Sequence, residues 1–238
     1  MSAQTTPSHI EDVIVVRVPF SPNFDQYARS IRYDDLDDAQ TDAQELFHVA
    51  AKKLEPMFLI RQTFITSHKS LDGLPAISID DQVFSGKALS VLKPVFRVFP
   101  YIATCGSEME DQDLSSLDFL APYWLDALKI QALGAARSAL RTYFRDQYGV
   151  KKAQSLNPGS GNVDIWPIEQ MAGIFNLLGG ADHIARIAQV TLTSSSLMIP
   201  NKTIAGLFFV SAESDYESCA YCERAYCPSR RVPFKERL

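Results

Sequence analysis

Three cysteines fall within nine residues near the carboxyl end, spaced Cys219-x2-Cys222-x4-Cys227, and Pro228 follows the last. Thiolates at this spacing suit one metal or cluster, because a Cys-x2-Cys turn brings two sulfurs together and a third closes the loop. Tetrahedral zinc and [4Fe–4S] centres both want a fourth ligand. Cys105, the one other cysteine, precedes Gly106 at the end of an apolar run. It is the candidate fourth ligand. Cysteine followed by proline is common at iron–sulfur ligands, which inclines the reading from zinc toward a cluster. Unligated reduced thiols, or a disulfide formed on isolation, are the plain alternatives.

A second candidate is the loop Asn157-Pro158-Gly159-Ser160-Gly161-Asn162, which precedes a helix. Glycine lets a backbone approach a ligand and present amide N–H groups to it. The loop matches neither a P-loop nor a GxGxxG fingerprint, and a simple connector is the competing reading. Glu108, Glu110, Asp111 and Asp113 read as a solvated acidic loop. His9, His48, His68 and His183 are scattered and form no HExxH pattern, there is no G-x-S-x-G elbow, and Ser194-Ser195-Ser196 has no evident base. Nucleophilic hydrolysis is not expected, and no catalytic residue is named.

Elements able to position these groups follow from periodicity. Residues 1–10 read as a loose arm, and Asp12–Val18 as a β-branched strand broken by Pro19 and Pro22. An acidic stretch, Asp34–Asp42, leads into a helix bearing Leu46, Val49, Ala50 and Leu54. Asp80-Asp81 reads as a turn, Ser85 as an N-cap, and Lys87–Leu92 as a short helix. Val95–Thr104 reads as a buried strand. The strongest helical signal lies between Leu117 and Gly149, with Leu133, Ala136, Leu140 and Phe144 on one face and Gly149 as the C-cap. Ala132, Gly134, Ala135 and Ala139 predict close approach of another element. Ser155–Asp164 reads as a loop, followed by one helix from Pro167 to Gly179-Gly180 and strands near Gln189–Thr193 and Thr203–Val210. Helices and strands mix without a βαβ rhythm, so the expected class is α+β, a single domain over 1–238 with an arm and strand in 1–37 and a cysteine-rich tail in 211–238.

Bulk properties exclude several classes. A net charge of −5, with its one basic cluster at Arg230, Arg231, Lys235 and Arg237, provides no stripe for phosphate contacts, so nucleic acid is not an expected partner. No apolar run approaches the ~18–20 residues that cross a bilayer, and Met1–Pro7 does not read as a signal peptide. The expected location is the cytoplasm, where thiols stay reduced.

Three segments carry a resemblance. Val190–Phe209 runs VTLTSSSLMIPNKTIAGLFF, Asn157–Ser160 leads through a helix to Leu178, and Ile102-Ala-Thr-Cys-Gly106 precedes the acidic loop and the Leu125–Ala136 helix. Taken together and in chain order, they resemble the activation domain of cobalamin-dependent methionine synthase, and more closely its stand-alone short relatives. The likeness covers about residues 80–210, and 38–80 more loosely. It implies a C-shaped α+β fold with a twisted antiparallel sheet, whose family role is to bind S-adenosylmethionine and cap the corrin during reductive remethylation of cob(II)alamin. It also implies Asn157, Pro158, Gly159 and Ser160 as the cofactor-facing loop and a corrinoid carried by a partner protein or methyltransferase subunit. The family's arginine ahead of the loop falls at Ser155, its tyrosine at Ser160 and its glutamate at Ser194. The first two departures bear against S-adenosylmethionine as ligand, and the third removes a charge near the same sheet. The tail Cys219, Cys222, Cys227 is absent from the methionine synthase domain and is similar to endings of the stand-alone relatives. The leading expectation is therefore an accessory protein that reactivates or handles the corrinoid of a methyltransferase system. A non-enzymatic assembly subunit with structural zinc and an S-adenosylmethionine-dependent methyltransferase are the alternatives. The oligomeric state is not legible.

Overall fold

Alternation along one strand organises the molecule. In β6 (Arg97–Thr104), Val98 and Ile102 point to one face of the sheet, and Phe99, Tyr101 and Ala103 to the other. Every residue of the strand after Arg97 is buried, as a strand covered on both faces requires. The computed structural model describes residues 12–150, 153–160, 165–211, 216–227 and 230–235. The arm 1–10, Gly161, Asn162, Pro228 and Arg237 lie outside them.

The main sheet is antiparallel throughout. β1 (Ile14–Arg17) pairs with β2 (Met57–Ile60), and β2 and then β3 (Thr63–Leu71) occupy the same edge of β6 in succession. β3 continues away into β4 (Leu74–Ile79) and β5 (Gln82–Ser85). The β3–β4 turn is Asp72-Gly73, both at positive φ (50° and 81°), the backbone a tight hairpin demands. On the opposite edge of β6 lies β10 (Thr203–Phe209), followed by short β7 (Gln154–Leu156). The α+β class with an antiparallel sheet is what the structure shows.

Helices cover both faces. α1 (Phe24–Ile31) and α2 (Gln40–Lys53) pack on the first half of α3 (Ala121–Tyr148) around Tyr27, Leu46, Trp124 and Leu128. The second half of α3 lays Ala136, Leu140 and Phe144 on Phe58, Phe99, Tyr101 and Phe208 of the sheet. Phe99 meets Phe144 edge-on at 4.6 Å between ring centroids. Gly149 ends α3 at φ 65°, the expected left-handed cap. Ala132 is buried against the helices, but Gly134 faces open space, so it does not mark the close approach expected of it. On the other face, α4 (Met171–Leu177) and α5 (Ala181–Ala188) complete a core with Leu89, Trp166, Ile174 and Ile184.

Three local readings change. The helix expected over 167–178 is a 3-10 turn, Ile168–Gln170, running into α4; the glycines at φ 100° and 92° then separate it from α5. The strand expected at Gln189–Thr193 shrinks to β8 (Thr191–Leu192), because Gln189 is the left-handed cap of α5. β8 pairs only with β9 (Met198–Ile199), outside the main sheet. Ser85 belongs to β5, and Gly86 caps the 3-10 turn Lys87–Leu92 in its place. Among the described residues, no helix is long and apolar enough to cross a membrane.

Candidate functional site

A cleft of about 650 Å³ opens along the edge of β10, within the ~300–1,000 Å³ range of small-molecule sites. Register explains why it is there. β7 pairs with β10 only from Leu207 to Phe209, so the edge from Thr203 to Gly206 is left without a neighbouring strand. At Asn157 the chain turns away from the sheet instead of continuing. Gly206 permits this departure: a Cβ there would fall 2.6 Å from the Asn157 amide nitrogen and closer still to the Leu156 carbonyl oxygen.

The turn Asn157–Ser160 has type II chemistry, with Pro158 at its second position and Gly159 at φ 75° in its third. The Ser160 N–H closes it by donating to the Asn157 carbonyl at 3.1 Å, and the Gly159 N–H donates to the Trp166 carbonyl at 2.8 Å. All four expected residues, Asn157, Pro158, Gly159 and Ser160, line the cleft. Their amides do not form an open cradle, because Pro158 lacks a donor and the Gly159 and Ser160 N–H groups are used within the protein. The side chain of Asn157 anchors the loop. Its Nδ2 donates to Tyr101 Oη and to the Ala205 carbonyl, both at 2.7 Å, which ties the loop to β6 and β10.

The floor is aromatic. Tyr101 and Phe208 stack at 4.3 Å with 16° between their planes, and the Arg141 guanidinium lies 6.0 Å over Phe208. Complete burial raises the Tyr101 phenol above its usual range, against the lowering effect of the Asn157 and Ser155 hydrogen bonds and of Arg137 and Arg141. Tyr101 is therefore a neutral hydroxyl at physiological pH. Ile168 and Met171 form one apolar wall, and Leu197, Met198 and Ile199 of the β8–β9 hairpin form a lip. Leu197 and Ile199 are 56% and 46% exposed, so apolar surface borders the opening.

Sequence reasoning missed Tyr101, Arg137 and Arg141. The signal was present: Arg137 and Arg141 are one helical turn apart and flank Leu140 of the apolar stripe. The tail contributes Ser218 and Arg231 to the same cleft. Arg231 pairs with Glu217, whose carboxyl is held below the usual range by that partner despite the opposing effect of burial.

The four cysteines are placed differently from expectation. Cys105 is wholly buried with α1, α2 and α3, because it continues the alternation of Tyr101 and Ala103. Its thiol donates to the Gly106 carbonyl at 3.2 Å, and burial pushes its pKa up to about 12, against the pull of Lys129. Cys219, Cys222 and Cys227 are partly exposed and free. Arg230 organises the tail by donating to the carbonyls of Cys219 (2.8 Å), Cys222 (2.9 Å) and Arg224 (2.5 Å). Carbonyl oxygens gather there. Among the described residues no three Cys, His, Asp or Glu side chains are grouped as a metal requires. Among these residues no donor set for zinc or an iron–sulfur cluster is assembled. The acidic loop is more than solvated charge: Glu110 pairs with nearly buried Lys129 at 2.5 Å, and Glu108 accepts from the Glu55 N–H.

The chain matches the solved structure titled "Crystal Structure of the MetH Reactivation Domain bound to AdoHcy" with a TM-score of 0.54 and 16% identity, over 86% of this chain and 80% of that one. It has that domain's fold. No family model matches the sequence, and no curated protein matches it.

Proposed function

We propose that this protein is an accessory of a corrinoid-dependent methyltransferase system, and that its cleft holds an adenosyl ligand while the surrounding face meets a corrinoid-binding partner. One observation carries the reading. The loop that the sequence resemblance marks as cofactor-facing lines a ligand-sized cleft, in a chain with the fold of a domain solved with AdoHcy. The corrinoid on the partner supplies the cobalt chemistry. This chain's residues contribute position and exclusion of water: stacked Tyr101 and Phe208 offer a flat apolar floor, Asn157 holds it rigid, and the exposed lip Leu197–Ile199 provides surface to cover.

The test uses a purified corrinoid protein in its cob(II) form, a low-potential reductant and S-adenosylmethionine, with methyl-corrinoid followed by its visible spectrum. Adding this protein is expected to raise the rate by about tenfold or more, equivalent to ~1.4 kcal/mol of barrier, and Phe208→Ala is expected to abolish the gain. An unchanged rate, together with no measurable association with the corrinoid protein, would sink the proposal.

A further inference from the structure

Three arginines converge at one end of the cleft in a protein whose net charge is −5. Arg137 and Arg141 come from α3, and Arg231 comes from the tail. Among the described residues Arg231 alone of the three has a carboxylate partner, Glu217. Among the described residues Arg137 and Arg141 make no ion pair or hydrogen bond, and Arg141 lies over the ring of Phe208. Burial depresses the Arg137 pKa first, followed by Arg231; Tyr101 and Glu217 offset part of this and Arg141 adds to it. Like charges one turn apart on a helix destabilise it, and a half-buried guanidinium without a carboxylate adds desolvation. Folding has no use for this arrangement, and a bound anion would relieve it. Ile168, Met171 and Leu197 add apolar lining to the same cleft.

We infer that Arg137, Arg141 and Arg231 form an anion-binding subsite, which takes the phosphate or carboxylate of a ligand whose uncharged organic body lies on Tyr101, Phe208 and the apolar wall. This rests on the small-molecule cleft of the proposed function and adds its charge specificity. Arginine suits both anions because its planar fork donates two parallel hydrogen bonds to either. Glu217 orients Arg231 toward the site and reduces the local excess of positive charge. The tail is thereby part of the ligand site.

The experiment is calorimetric titration of the full chain at low salt with adenosine, ADP and S-adenosylhomocysteine. At least one of the two anion-bearing ligands is expected to bind about tenfold or more tighter than adenosine, with the difference shrinking as salt rises. Preference for ADP assigns phosphate, and preference for S-adenosylhomocysteine assigns carboxylate. Arg137→Gln/Arg141→Gln is expected to remove about tenfold of the anionic ligand's affinity and to narrow its advantage over adenosine. Arg141→Gln alone, at an exposed position, supports the same reading where the double variant folds poorly. No binding by any of the three, equal affinity for all, or full affinity in the variants overturns the inference. Failure here with intact acceleration of corrinoid methylation leaves the proposed function standing. Arginine-dependent binding without acceleration has the reverse meaning.

Discussion

Asn157 spans two strands with one amide, donating to Tyr101 on β6 and to Ala205 on β10. Asn157→Ala would leave the buried Tyr101 hydroxyl and the Ala205 carbonyl without these donors. The expected loss is about 1–3 kcal/mol of stability by urea denaturation, together with weaker binding in the cleft; unchanged stability would show that the two bonds are dispensable. Cys105 offers a second prediction at this scale. Its thiol is wholly buried and its pKa is raised, whereas the three tail cysteines are partly exposed. Alkylation of metal-free, folded protein at mildly alkaline pH is expected to consume the three tail thiols and spare Cys105 until the protein is unfolded. A raised thiol pKa favours the neutral form in the native state, so its stabilisation is complete below about pH 9 and is lost as pH climbs toward 12. Cys105→Ala should lose that alkaline component, as read from the pH dependence of unfolding.

Between elements, Arg61 joins parts that the strand ladder leaves separate. It sits where β2 gives way to β3, pairs with Asp80 of the β4–β5 turn at 2.7 Å, and donates to the Leu177 carbonyl at the end of α4 at 2.9 Å. Its side chain is only 5% exposed, against 22% for Asp80. Asp80→Ala leaves that cation buried without its carboxylate and is expected to cost about 3 kcal/mol. Arg61→Met added to Asp80→Ala should restore much of the loss, since neither charge then remains. Denaturation of the single and double variants checks both; equal stability of wild type and Asp80→Ala would place the fastening elsewhere.

For the molecule as a whole, the tail returns to the cleft instead of trailing from the sheet. Ser218 and Arg231 line the cavity, the Lys235 N–H donates to the Ala220 carbonyl, and Arg230 clamps three carbonyls between Cys219 and Arg224. Arg230→Ala is therefore expected to raise the rate of limited proteolysis within 219–227 by about tenfold, since local opening governs cleavage. Arg224→Ala, which removes a side chain but keeps the clamped carbonyl, should leave that rate near wild type. Equal cleavage of both variants would refute the clamp.

Much of the framework was legible where local chemistry and burial agree. The period-3.6 stripe of α3, its Gly149 cap, the apolar β6 and the Pro-Gly turn at 158–159 each carry their own signal. β3 hid because its far half is polar and exposed, although Asp72-Gly73 is a hairpin signature. Tyr101 was hidden within a strand read as buried, and Arg137 and Arg141 carried no reading of their own within the long helix. Only the tertiary structure decided that they meet Arg231 and Asn157. Register ends β7 early, which opens an edge of β10, and that gap is a relation between strands far apart in the chain. The cysteines illustrate the same division. Their spacing specifies which thiols share a loop, but strand alternation sends Cys105 into the helical core, and contacts of Arg230 shape the tail through its carbonyl oxygens. Local sequence determines backbone preference over a few residues; which distant side chains share one cavity follows from packing and sheet register, and no local pattern encodes those.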